Sequence, residues 1–314
     1  MAERKLKTVF QTVGHTQALK DGSVKPKTFD FEFVEFPRII DAFRRMVREL
    51  EFDITEMALT TYICARAHGK RFTALPITLV RQFHHGAIVY NTKSGIRSPK
   101  DLEGKKVGVN RGYTVTTGVW ARGILQHEYG VDLNKITWVL SGDEHVAEYK
   151  APSNVVPIEK GKKMEDMLIS GEIVAAGGLA VDHPDIKTLI PNAKEAGFEA
   201  LRSRGHYPIN HMLVVKDELL EACPDLALDI FDAFVAAKRP YIQRLKNSPS
   251  AELAKGDQTY KQVMDIIGDP LPYGIAPNRK MLETIIQYAM EQKIITRAVT
   301  VEDLFPRNTH GLVG

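Results

Sequence analysis

The stretch 105–131, KKVGVNRGYTVTTGVWARGILQHEYGV, constrains the fold of this chain more tightly than any other. Residues 106–109 alternate, with Val107 and Val109 on one side, which is the period of a strand. Arg111, Gly112 and Tyr113 break that pattern. Val115, Val119, Trp120 and Ile124 then return at spacings that share one helix face, up to Gly130. A strand that turns through glycine into a helix is the repeating joint of an open α/β sheet. Ligands bind at the carboxyl ends of such strands, where the first N–H groups of the helix point outward. Thr114, Thr116 and Thr117 add hydroxyls to those donors, and Arg111 adds a permanent positive charge. Two readings follow: an anion site suited to a carboxylate, or threonines that cap the helix beside a solvated arginine.

The same grammar runs through most of the chain. Periodicity predicts strands over 6–13, 29–33, 52–57, 72–80, 87–91, 136–140, 173–176 and 209–215. It predicts helices over 39–50, from Thr60 to Gly69, 164–171, 191–197, 219–245 and 281–290, with a short one after Ser98-Pro99. Pro76 limits the pairing of the fourth strand. The polar segment 141–157 reads as a long loop, and 185–189 is too short to assign.

At 314 residues, 44% hydrophobic and 26% charged, the composition is that of a globular protein with room for two lobes. The pattern predicts two sheets, the second beginning near Ile96 and ending near Pro208, with crossings near 90–94 and 206–211. Lobe one then holds 1–94 and 210–314, and lobe two holds 95–209. Paired crossings leave a cleft, the usual home of small ligands. A net charge of +3 with no Lys/Arg run longer than two leaves no electrostatic footprint for nucleic acid. The first residues lack an apolar signal segment and no long uncharged apolar run follows, so with Met1 native the expected compartment is the cytoplasm, with no membrane partner. Cys64 and Cys223 stand alone and are expected as buried thiols. The oligomeric state is left open.

The run SPKDLEGKKVGV, followed by a hydroxyl-rich helix start, resembles the second lobe of type II periplasmic-binding-protein folds, which implies a two-lobed α/β architecture. The segments FDITEMALTTY, RQFHHGAIVY, YTVTTGVWARGILQHEYGV and NHMLVVKDELLEACPDLALDIFDAFVAAK together resemble the 4,5-dihydroxyphthalate decarboxylase family, over roughly residues 30–240. The resemblance implies a cofactor-independent carboxy-lyase for a hydroxylated aromatic carboxylate, on the solute-receptor fold without a secretion signal. The alternative from another class is a receptor that delivers a small carboxylate to a transporter. The segment AAGGLAVDHPDIK departs from the family, which carries arginine and proline close after the corresponding strand. Gly177 and Gly178 take that place and face the cleft in such folds, which leaves the substrate open.

Decarboxylating a dihydroxyphthalate calls for a base at the phenol, an acid at the ring carbon and cationic or N–H donors for the remaining carboxylate. Histidine suits both proton tasks near neutral pH. His84 and His85 are adjacent, so an extended chain sends only one toward the cleft, and His85, which matches the family's histidine, is the candidate. His211 also matches, and His15, at the end of the first strand, is a third. Hinge hydrogen bonding is the competing role for His85 and His211. Arg81 is either a carboxylate clamp or an interlobe ion pair, and Tyr113 either touches the substrate or packs in the core. Thr60, Thr61 and Tyr62 lie at a strand end and join the candidate lining. His68, His145, His183, His206 and His310 carry no motif and default to surface or loop roles. No HExxH or cysteine cluster points to a metal, and a divalent ion held by His85 and His211 is the one arrangement left open.

Overall fold

A computed structural model of the chain describes residues 4–314. Its eleven strands are β1 (Lys5–Val9), β2 (Asp30–Phe33), β3 (Ile54–Ala58), β4 (Phe72–Arg81), β5 (Ile88–Asn91), β6 (Lys106–Val109), β7 (Thr137–Leu140), β8 (Val155–Pro157), β9 (Ala175–Gly177), β10 (Ile186–Thr188) and β11 (Ile209–Lys216). They form two sheets, ordered β2-β1-β3-β11-β4 and β10-β5-β9-β6-β7-β8. The helices are α1 (Gln17–Lys20), α2 (Ile39–Glu49), α3 (Leu59–Ala67), α4 (Thr116–Tyr129), α5 (Met164–Ser170), α6 (Ala193–Arg204), α7 (Asp217–Ala222), α8 (Leu226–Asn247), α9 (Lys255–Ile267) and α10 (Arg279–Glu291). None is long and apolar enough to cross a membrane.

Local sequence explains most of these elements. In α2 the buried residues Ile39, Ala42, Phe43, Met46 and Val47 follow one helical stripe, and the helix stops where Leu50 turns left-handed at φ 49°. β3 is buried at every position because β1 and β11 flank it. β4 takes the sheet edge, where Pro76 loses little, and the register with β11 slips between Met212 and Leu213 to pass it.

The chain passes from the first sheet to the second over 82–87, ahead of the expected 90–94. Val89 and Tyr90 pair with Ala176 and Ala175 of β9, so residues 88–91 belong to the second sheet. Alternation marks such a segment as a strand without saying which sheet receives it. Within the expected loop 141–157, Val155 and Val156 add an edge strand to β7, three residues being too short to show a period. The unassigned 185–189 contains β10, paired with β5. The expected helix 219–245 is interrupted between Ala222 and Leu226, where Pro224 has no N–H to continue the ladder. Helix α9 was not anticipated. Cys64 is buried and its thiol is pushed up to about 12 by burial, whereas Cys223 is only half-buried, against Arg4 Nη1 at 2.6 Å.

Helix α4 is the seam of the molecule. Its strand β6 sits in the second sheet, yet Trp120 Nε1 donates to the carbonyl of Ile209, the first residue of β11, at 2.9 Å. On the neighbouring face Gly123 meets the ring of Tyr288 in α10 so closely that a Cβ there would lie 2.0 Å from Cε2. Glycine at 123 is thus required by helix contact. Gly123→Ala should cost about 1–3 kcal/mol, the usual penalty of overpacking, read as a lower denaturant midpoint. An unchanged midpoint would mean that Tyr288 turns aside freely.

Candidate active site

A cavity of about 300 Å³ opens between the two sheets, lined by Ile39, Phe43, Ala58 and Val80 on one side and Arg111, Val115 and Thr117 on the other. That volume is at the small end of ligand pockets and suits a single aromatic ring. His211 and His145 also line it, and the edge-to-face ring of Phe43 stands 5.2 Å from the first and 6.2 Å from the second.

His211 sits beside irregular strand pairing. The register between β11 and β4 shifts on both sides of it, while its ladder with β3, from the His211–Ala58 pair onward, is regular. Its Nδ1 lies 2.6 Å from Glu56 Oε1. Glu56 is buried in β3, and its other oxygen accepts the N–H of Gln11 at 2.9 Å. With Nδ1 directed at Glu56, Nε2 is the ring nitrogen left for a ligand. Glu56 is a candidate site residue that the sequence reading missed, a single charge in a strand that is buried at every position.

The positive side of the cavity comes from the strand–turn–helix joint. Arg111 sits in the left-handed region at φ 70°, with its N–H donated to Ser141 Oγ at 2.8 Å. Such strain in a non-glycine residue clusters at functional sites. Its guanidinium makes no hydrogen bond or ion pair among the described residues, and burial followed by Arg38 lowers its pKa without discharging it. The N-cap residues of α3 and α4 are Ala58 and Val115, neither of which can cap through a side chain, and both line the cavity. The first turns therefore keep donors for an anion.

The threonines divide their work. Thr116 Oγ1 accepts the N–H of Thr60 at 3.0 Å, and Thr60 Oγ1 donates to the carbonyl of Thr114 at 2.6 Å, which knots the starts of α3 and α4 together. Thr114 is turned from the cavity: its hydroxyl donates to Glu144 at 2.6 Å, and its N–H and that of Tyr113 serve the same carboxylate. Only Thr117 of the three lines the cavity without a protein partner for its hydroxyl among the described residues.

Other expected contacts lie elsewhere. His85 does not line the cavity; its Nε2 meets Glu128 of α4 at 3.0 Å, and Arg204 pairs with the same carboxylate. His84 points instead at Asn210 Oδ1, 2.6 Å away. His85 and His211 thus engage different carboxylates, and among the described residues no group of three or more His, Cys, Asp or Glu side chains is arranged to hold a metal ion. Arg81 is buried on the carbonyl of Tyr207 and on Asn278 Oδ1, pinning one crossing segment to its neighbour rather than clamping a ligand. Tyr113 packs in the core beneath the guanidinium of Arg122, 3.8 Å from its ring centre. Tyr62 donates to the carbonyl of Leu304 at 2.5 Å, away from the cavity, and burial pushes its hydroxyl up to about 12. Thr61 reaches the site only through His145 Nδ1, at 3.3 Å. Gly177 and Gly178 do not line the cavity, and their carbonyls accept the backbone and side-chain N–H groups of Asn110. His15 is buried beside Tyr241, with neither ring nitrogen bonded to protein among the described residues.

Burial lowers His15, His84, His145 and His206 to about 4 from an ordinary value of 6.5. Between those limits the unfolded chain binds more protons than the folded one. The stability is therefore complete above pH 6.5 and drains away as the pH falls toward 4. Denaturant midpoints taken from pH 7 to pH 5 should fall steeply, and a flat profile would mean that these rings are hydrated.

A family model described as NMT1/THI5 like matches residues 50–156. The chain is 28% identical over 323 residues to the 4,5-dihydroxyphthalate decarboxylase of Comamonas testosteroni, with 97% of each chain covered. It is 30% identical over 178 residues to the 4,5-dihydroxyphthalate decarboxylase of Pseudomonas putida, covering 52% of this chain and 68% of that one. Among solved structures, the periplasmic aliphatic sulphonate binding protein of Escherichia coli superposes with a TM-score of 0.55 at 12% identity, over 99% of this chain and all of the other. Two α/β sheets around a cleft place the chain in the two-lobed periplasmic-binding-protein-like fold. By sequence, it belongs to the 4,5-dihydroxyphthalate decarboxylase family.

Proposed function

We propose that the chain is a carboxy-lyase for a hydroxylated aromatic carboxylate, with 4,5-dihydroxyphthalate, which names its relatives, as the first substrate to test. The observation that carries this reading is His211, backed by buried Glu56 and open to a one-ring cavity that also holds the cation Arg111, unpaired among the described residues. Arg111, Thr117 and the start of α4 hold one carboxylate. His211 Nε2 takes the proton of a ring hydroxyl, and Glu56 stabilises the imidazolium that forms. The phenolate then pushes its electrons to the para carbon, which takes up the one proton the reaction consumes, drawn from solvent, and the imidazolium returns its own proton to the phenolate at the end. The bond from that carbon to CO2 breaks, and its electron pair restores the aromatic ring. The sequence as drawn uses no cofactor. The apolar wall of Ile39, Phe43 and Val80 favours loss of the carboxylate's charge by withholding water.

The receptor reading draws on the fold shared with a sulphonate-binding protein. A panel of hydroxylated benzoates and phthalates, followed for CO2 release, separates the two. Turnover supports the lyase, and micromolar binding without turnover supports the receptor.

With turnover established, His211→Asn should lower kcat by roughly 10²-fold or more, the scale for loss of a general base, while KM changes far less. Glu56→Gln keeps an acceptor for Nδ1 and should cost less. Wild-type rates in both would remove His211 from the chemistry. Thr117→Val should weaken carboxylate binding by about 1.5–3 kcal/mol, the scale of a hydrogen bond to a charge. Thr116→Val should instead lower the melting temperature, since its hydroxyl serves the knot. Calorimetry and thermal unfolding distinguish the two effects.

A further inference from the structure

Residues 141–149 leave β7 as an irregular strap that both sides of the cleft grip. From the first side, α2 sends Arg48, whose Nη2 donates to the carbonyl of Glu144 at 2.9 Å and whose Nε donates to that of His145 at 3.2 Å. Arg44 donates to the carbonyl of Asp143 at 3.3 Å. From the second side, the backbone N–H groups of Tyr113 and Thr114 and the Thr114 hydroxyl hold the Glu144 carboxylate. Gly112 is part of this seat: a Cβ there would lie 2.5 Å from Glu144 Oε2. The N–H groups just ahead of α4 are thus filled from within the chain, and the next residue, His145, is delivered to the cavity.

His145 is 7% exposed, lines the cavity and shares the edge of Phe43 with His211. Its Nδ1 has Thr61 Oγ1 at 3.3 Å, and its Nε2 bonds no protein group among the described residues. Burial, with Arg44, Arg111 and Arg48, keeps the ring uncharged at neutral pH. An uncharged imidazole does not compete with Arg111 for a carboxylate, but it can donate or accept one hydrogen bond with a hydroxyl.

We propose that His145 reads a ring hydroxyl of the substrate, held in place by Arg48, and so sets a preference for hydroxylated over plain aromatic carboxylates. This rests on the aromatic-carboxylate reading above and adds a specificity residue from the opposite side of the cleft. Arg48 is a positioning residue that acts through the strap.

The test uses 3,4-dihydroxybenzoate, which remains when 4,5-dihydroxyphthalate loses one carboxylate, and benzoate, which has no hydroxyl. Dissociation constants are measured by calorimetry on the whole chain. Wild type should prefer the hydroxylated acid. His145→Leu should weaken it roughly tenfold, the upper range for a neutral hydrogen bond, and change benzoate less than about twofold. His145→Phe keeps a ring against Phe43 and decides the matter should the leucine variant melt early. His145→Gln should restore part of the preference, and Arg48→Met should lose part of it with benzoate unchanged. Equal weakening of both acids in the leucine and phenylalanine variants, or an undiminished preference, overturns the role of His145 alone. A wild type that does not distinguish the two acids overturns the proposed substrate class, and this inference with it.

Discussion

The helix starts of α3 and α4 meet at the cleft, and their shared polarity sets the terms for everything around them. Each start carries about half a positive charge, so two of them side by side repel unless acceptors or anions intervene. The chain supplies acceptors at the knot, where Thr116 Oγ1 takes the N–H of Thr60. It supplies a carboxylate just ahead of α4, where Glu144 takes the N–H groups of Tyr113 and Thr114. It then adds Arg111, without a partner among the described residues, which tips the balance back toward positive on the cavity side. The positive character of the cavity follows from how the sheets are held together.

The passages between the sheets are stitched to each other rather than left as free hinges. Arg81 bonds the carbonyl of Tyr207, Gln82 N–H donates to the carbonyl of Pro208, and His84 meets Asn210. Burying a guanidinium is costly, and burial lowers the pKa of Arg81 to about 10. The carbonyl of Tyr207 and its ring, 4.4 Å away, offset that cost. His85 extends the stitching to α4 through Glu128. His85, expected to do chemistry, is therefore part of the joint together with its neighbour His84, both on the crossing that follows β4.

What the sequence disclosed was whatever depended on local period and on residues whose partners lie close in the chain. The joint 105–131, the stripe of α2 and the strand carrying His211 were all legible that way, as was the placing of Arg111 at the cavity. The remainder depended on long-range partners. Thr114 reads as a ligand donor until Glu144 is seen on it, 30 residues on. Nothing local distinguishes His85 from His84 once each has found a partner on another element. His145 lies in a segment without period, and its position is set by arginines of α2 almost 100 residues earlier. Glu56 sits in a strand covered on both sides, where alternation no longer separates inside from outside.

Trp120 gives this joint an optical signature. The chain has two tryptophans, both fully buried. Trp138 is bonded to the carbonyl of Leu133 within the second sheet, whereas Trp120 is bonded to the carbonyl of Ile209, on the strand that carries His211. Relative motion of the two sheets leaves the first indole's surroundings intact and alters those of the second. Emission from a variant retaining only Trp120 is consequently a native, label-free gauge of how α4 sits on β11.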